Sequence, residues 1–142
     1  MTATKDHHYN ILIADDDSEC REALRQIMEP QGFHTFLASC GEEAIDIVRG
    51  AVVHLVLLDM HMPTLTGLET LSIVRQEVHV SLPCILITGD ATDNLMRQAA
   101  QAQVYSVIPK PVSKNLVLYT VVRALSRFYG QHPPKDQSKD QS

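Results

Sequence analysis

Five short apolar runs, separated by stretches of helical periodicity, constrain this chain more than any other feature. Tyr9-Asn10-Ile11-Leu12-Ile13-Ala14, Phe33-His34-Thr35-Phe36-Leu37, His54-Leu55-Val56-Leu57-Leu58-Asp59, Pro83-Cys84-Ile85-Leu86-Ile87-Thr88 and residues 104–108 each read as a strand. The centre of the third run has no polar alternation, as a strand covered on both faces requires. Between the runs, apolar residues recur at helical spacing. Cys20, Ala23, Leu24, Ile27 and Met28 share one face, and Pro30 with Gly32 ends that helix. Ser39 and Glu42 predict a capping box for a second helix carrying Ala44, Ile45 and Val48 and ending at Gly50. A loop with Pro63, Thr64, Thr66 and Gly67 precedes a third helix over about 68–78. Asp90 is the predicted cap of a fourth helix reaching about 102. Ser113 opens a fifth, with Leu118, Val121, Val122, Leu125 and Phe128 in register.

Five strand-then-helix units predict parallel strands joined by right-handed crossovers. The expected fold is therefore α/β: an open, doubly wound five-stranded parallel sheet with helices on both faces. In such sheets ligands bind beyond the carboxyl ends of the strands, where the strand order reverses. Residues 9–129 are expected to form this domain, 1–8 an N-terminal extension, and 130–142 a disordered polar tail with nothing apolar to bury.

Composition narrows the function classes. With 44% apolar and 20% charged residues in 142, the chain suits one packed domain. A formal net charge of −5 argues against a nucleic-acid surface. Cys20, Cys40 and Cys84 are far apart and odd in number, which speaks against a disulfide framework or a zinc site. No apolar run approaches a membrane span, and the first residues lack the apolar core of a signal peptide. A cytoplasmic protein that contacts neither membrane nor nucleic acid is the expectation.

Four polar features fall at strand C-termini. Asp15, Asp16 and Asp17 follow the first strand, Asp59 ends the third, Thr88 ends the fourth, and Lys110 follows the fifth. Each has an ordinary interpretation alone: a solvated turn, a loop-facing cap, a helix cap, a surface lysine. Together, at successive strand ends, they converge on one crevice. Clustered carboxylates repel one another and call for a cation, and hard oxygens suit Mg²⁺. A carboxylate is also a competent phosphoryl acceptor, with a metal, an ammonium and a hydroxyl to neutralise the transferring group.

These residues carry a family resemblance. Ile11-Leu12-Ile13-Ala14-Asp15-Asp16-Asp17 resembles the acidic strand of response-regulator receivers, CheY-like proteins of two-component signalling. Leu55 to Glu69 resembles their phosphoacceptor strand and loop, with Pro63 four and Gly67 eight residues after Asp59. Ile85-Leu86-Ile87-Thr88-Gly89 resembles the strand bearing the switch hydroxyl, and Lys110-Pro111 the lysine-proline pair, which in that family usually has a cis bond. The match runs in order over about 9–128.

The resemblance implies a role for each position. Asp59 would accept a phosphoryl group from a phosphohistidine of a sensor histidine kinase or phosphotransfer protein. Mg²⁺, or Mn²⁺, would be held by the side chains of Asp16 and Asp59 and the backbone carbonyl of His61, with Asp15 acting through water. Thr88 would donate to the phosphoryl group, and Lys110 would pair with Asp59 and later with a phosphoryl oxygen. The chain would be a switch that assists its own phosphorylation and dephosphorylation rather than an enzyme. An output partner, or a homodimer, would use the face of helix four, strand five and helix five.

This sequence departs from the family pattern at four places. Val107 stands three residues before the lysine, where an aromatic residue is common. Tyr105, by strand alternation, is expected on the same side as Val107. Pro109 precedes the lysine, and Gln103-Val104 replaces the usual Gly-Ala. A second reading keeps the fold but makes the chain a constitutive interaction module. A haloacid-dehalogenase-like phosphatase needs an Asp two residues after its nucleophile, where this chain has His61. Flavin binding is opposed by three acids where a phosphate loop would lie.

Overall fold

A computed structural model describes residues 9–78 and 81–130. The segments expected to be an N-terminal extension and a polar tail lie outside the described residues, apart from Gly130. Eleven elements run in order: β1 (Asn10–Ala14), α1 (Ser18–Met28), a 3₁₀ turn (Glu29–Gln31), β2 (His34–Ala38), α2 (Gly41–Gly50), β3 (Leu55–Asp59), α3 (Gly67–Glu77), β4 (Cys84–Thr88), α4 (Asp93–Gln101), β5 (Ser106–Pro109) and α5 (Lys114–Tyr129).

The strands pair in parallel in the order β2-β1-β3-β4-β5. Every residue of β3 and β4 is buried, which explains their unbroken apolar runs. Alternate residues feed two cores. Leu12, Val56, Leu58 and Leu86 pack with the buried faces of α2, α3 and α4. Ile11, Ile13, Leu57 and Ile85 pack with Leu24, Met28, Val117 and Val121 of α1 and α5 on the other side.

Strand order reverses at β1, whose neighbours are β2 on one side and β3 on the other. The connections leaving β1 and β3 therefore turn to opposite faces and open a crevice between them. Register aligns the strand ends: Ala14 faces Leu58, Asp59 faces Ile87, and Thr88 faces Pro109. Asp15, Asp59, Thr88 and Lys110 thus lie side by side along one edge of the sheet.

Several local expectations are corrected. The N-cap of α2 is Cys40, without a side-chain bond. Ser39 instead donates its N–H (2.6 Å) and hydroxyl (2.8 Å) to Glu43, one residue beyond the glutamate expected. Helix α4 is capped by Thr92, whose hydroxyl accepts from the Leu95 N–H, not by Asp90. Asp90 is occupied at the end of β4, where its N–H donates to the Thr88 hydroxyl. Tyr105 precedes β5 at a bend, so strand alternation does not reach it. Its ring packs on the α1/α5 side against Phe128, while Val107 packs on the other side. Gln103 has φ 57°, the left-handed conformation that makes glycine usual there.

Candidate functional site at the carboxyl edge of the sheet

Local structure fixes each acid. Asp17 caps α1 by accepting from the Glu19 N–H (3.0 Å), which is what an aspartate before a helical run does best. Asp15 is 1% exposed and accepts from the Asp17 N–H through Oδ1 (2.9 Å). Its own N–H donates to Ala38 O on β2 (3.0 Å), and its carbonyl accepts from the Arg21 guanidinium (2.6 Å). Asp16, between them, is exposed.

Asp59 is 3% exposed and accepts from the His61 N–H (3.3 Å). The loop after it is drawn in by Gly67, whose N–H donates to Met60 O (2.8 Å). A Cβ on Gly67 would stand 2.5 Å from the Asp59 carbonyl oxygen and 2.9 Å from Met60 Cα. Only glycine permits that approach, which accounts for the glycine eight residues after the acid.

Thr88 is fully buried, with its hydroxyl accepting from the Asp90 N–H (3.0 Å). Lys110 is held by its N–H donating to Thr88 O (2.8 Å), and the Lys110–Pro111 bond is cis. Its ammonium lies 3.1 and 3.2 Å from the two Asp15 oxygens and 3.5 Å from Asp59 Oδ1. The lysine is thus nearer Asp15 than Asp59, the partner expected from sequence.

The electrostatics are unbalanced. Asp15, Asp16 and Asp59 offer oxygens within 4.8 Å of one another, and one lysine faces them. Burial first, and then the charge of Asp15, push the Asp59 carboxyl up to about 7, with Lys110 pulling the other way. Burial lowers the Lys110 ammonium, but the bond to Asp15 and the charges of Asp15 and Asp59 outweigh it and raise it overall. Asp15 Oδ2 is buried and has no hydrogen-bond partner, its contact with Lys110 being one of charge alone. An all-oxygen set with excess negative charge and an unsatisfied buried oxygen fits a hard divalent cation.

Sequence reasoning missed two supports of this site. Arg21 braces the Asp15 carbonyl from the next turn, but an arginine on a helix carries no pattern that foretells a carbonyl bond. Cys20, read only as a half-buried thiol, interacts with the Asp15 carboxylate, which adds to burial in pushing the thiol up to about 12. Gly89 presents no such crowding, its nearest neighbour being Lys110 Cβ at 4.0 Å.

Residues 11–122 match the family model described as the response regulator receiver domain. The chain belongs to the response-regulator receiver family. Among curated receiver-containing relatives, the transcriptional regulatory protein CpxR of Escherichia coli K12 is 32% identical over 117 residues, covering 82% of this chain and 49% of CpxR. Response regulator RR06 of Streptococcus pneumoniae is 28% identical over 125 residues, covering 84% of this chain and 54% of that protein. The receiver therefore spans about half the length of the first curated relatives it matches. Chemotaxis protein CheY of Pseudomonas aeruginosa, 28% identical, is matched over 98% of its length and 84% of this chain. A CheY-like receiver from Methanospirillum hungatei superposes with a TM-score of 0.81 at 24% identity, over 88% of this chain and 99% of that one, which speaks to the fold. Among the described residues no helix is long and apolar enough to cross a membrane.

Proposed function

We propose that this receiver accepts a phosphoryl group on Asp59 and thereby shifts the conformation of the β4–β5 side of the domain. The observation that carries the proposal is the juxtaposition of a buried, elevated carboxyl with a lysine 3.5 Å away and two further acids within metal-binding range. An Asp59 oxygen attacks phosphorus as the P–N bond of a phosphohistidine breaks, leaving an acyl phosphate on Asp59 and a neutral imidazole on the donor after proton uptake. The donor is a sensor histidine kinase or a phosphotransfer protein.

Asp16 and Asp59 would hold Mg²⁺ or Mn²⁺ by side chains and His61 by its backbone carbonyl, with Asp15 contributing through water. Bound there, the ion neutralises charge on the acceptor carboxylate and the transferring oxygens. Lys110 stabilises one phosphoryl oxygen by charge, leaving Asp59 for the phosphoryl group while keeping Asp15. The Thr88 hydroxyl accepts from the Asp90 N–H, so its own proton is available to donate to a second phosphoryl oxygen. That donation draws Thr88 toward Asp59. Because Lys110 is bonded to the Thr88 carbonyl, β4 and the loop after β5 move together.

On this reading residues 9–129 are the receiver body of a cytoplasmic switch protein, with no turnover of a separate substrate. Incubation with acetyl phosphate and Mg²⁺ should add the mass of one phosphoryl group, removed by hydroxylamine. The adduct should be absent with EDTA and in Asp59→Ala. A stable, unlabelled wild-type chain under those conditions would favour a constitutive interaction module instead.

A further inference from the structure

The acidic crevice occupies the carboxyl edge of the sheet, and a second concavity lies at the amino edge. Crossover helices run back against a parallel sheet, so the last turns of α3 and α5 stand beside the entries to β4 and β5. Arg75 belongs to the last turn of α3 and Arg127 to that of α5. Both line a cleft of about 780 Å³, which is bounded by Ser81 and Leu82 before β4 and by residues 103–105 before β5. That volume suits a small molecule, whose sites measure roughly 300–1,000 Å³.

The positive charge of this cleft is not balanced. The Arg75 guanidinium donates to the carbonyl of Ala102, to Gln103 O (3.0 Å) and to Leu82 O (3.3 Å). All three acceptors are neutral, and two of its five N–H groups remain for a ligand. The carbonyl end of α4 supplies only roughly half an elementary negative charge. Among the described residues, neither Arg75 nor Arg127 forms an ion pair. No Asp or Glu lines the cleft, and none occurs from residue 94 to Gly130. Glu77, two residues after Arg75, is paired with Arg49 instead (3.2 Å).

The remaining walls are largely apolar. Val78, Leu82 and Val104 contribute aliphatic surface. The Tyr105 and Phe128 rings meet edge to face, 6.4 Å apart at 70°, and Phe128 is 39% exposed. Such a pair offers a planar group further ring faces and edges to pack against.

We infer that this cleft binds a small aromatic anion, its ring set against Tyr105 and Phe128 and its carboxylate or phosphate shared by Arg75 and Arg127. A neutral aromatic molecule would leave both cations unanswered, and a bare inorganic anion would leave the apolar walls wet. The site uses neither Asp59 nor a metal. It is separated from the acidic crevice by the length of β4, so it stands or falls independently of phosphorylation.

The probe is 2-naphthoate, compared with 2-naphthylmethylammonium and with inorganic phosphate. Each is titrated into the isotope-labelled full chain, without phosphodonor or metal, and amide chemical shifts are followed at low and high salt. Naphthoate should bind saturably, weaken with salt, and shift Leu82, residues 103–105 and residues 127–128. The ammonium compound should not bind there, and phosphate should bind at least about tenfold more weakly. Arg127→Gln should lower naphthoate affinity about tenfold. Phe128→Ala should lower it too while keeping the charge, and both variants should retain the wild-type spread of amide resonances. Arg75 is left in place because its three carbonyl bonds tie α3 to the entry of β4 and the end of α4. Four results would overturn the inference: no saturable naphthoate binding at millimolar concentration, equal binding of the ammonium compound or phosphate, shifts centred elsewhere, or unchanged affinity in both variants.

Discussion

Replacing Asp59 by Asn should stabilise the metal-free receiver at alkaline pH, although it removes an ion-paired side chain. The Asp59 carboxyl rises from an ordinary 3.8 to about 7 because burial and the neighbouring Asp15 both oppose its charge. Below pH 4 the group is protonated in folded and unfolded chains alike and contributes nothing. Between about 4 and 7 the folded state holds a proton that the unfolded state releases, so stability falls as pH rises through that window. Above both values the folded chain bears the full cost of the buried charge, at most about 4 kcal/mol. That cost is already net of the 3.5 Å attraction to Lys110, and Asn offsets part of its removal by burying an amide N–H₂, a loss of about 1 kcal/mol. The net gain is then about 2–3 kcal/mol at pH 8, shrinking toward zero or reversing near pH 4. Urea unfolding of both proteins in EDTA, at several pH values from 4 to 8, measures it. Excess Mg²⁺ at pH 8 should narrow the gap by stabilising the wild type. A difference that does not vary with pH, or an Asn variant less stable than wild type at pH 8, would refute the reasoning.

Three further perturbations test separate parts of the site. Lys110→Ala leaves Asp15 and Asp59 without their cation, and should cost about 1–3 kcal/mol at pH 8 in urea unfolding, less near pH 4, while slowing acetyl-phosphate labelling. Thr88→Val strips the Asp90 N–H of its acceptor and should cost about 1–2 kcal/mol, whereas Thr88→Ser, which keeps the hydroxyl, should be closer to wild type in both stability and labelling. Gly67→Ala forces a methyl group against the Asp59 carbonyl and should lower stability by about 1–3 kcal/mol, with Asp59 labelling reduced in the folded fraction.

Much of this architecture is legible in the sequence because burial leaves a simple pattern. A strand covered on both faces must be apolar throughout, so Leu55–Leu58 and Cys84–Ile87 announce themselves. Their polar ends, Asp59 and Thr88, then stand at a known edge of the sheet. What stays hidden depends on a residue or two of backbone geometry. The choice between Glu42 and Glu43 for Ser39 turns on where α2 begins, and that is set by Cys40 in an extended conformation. The side taken by Tyr105 turns on a bend before β5 that no alternation rule contains. Likewise Lys110 lies closer to Asp15 than to Asp59 because both strand ends flank the crevice, and spacing along the chain does not rank the two distances.

The most direct test of the central claim is Mn²⁺ titration of the isotope-labelled chain, read by paramagnetic broadening of its amide resonances. Broadening should begin at residues 15–17 and 59–61, spread to Thr88 and Lys110, and be competed by Mg²⁺. Asp16→Asn and Asp59→Asn should each weaken it. Broadening centred elsewhere, or none at millimolar Mn²⁺, would contradict a divalent-cation site at the carboxyl edge of the sheet.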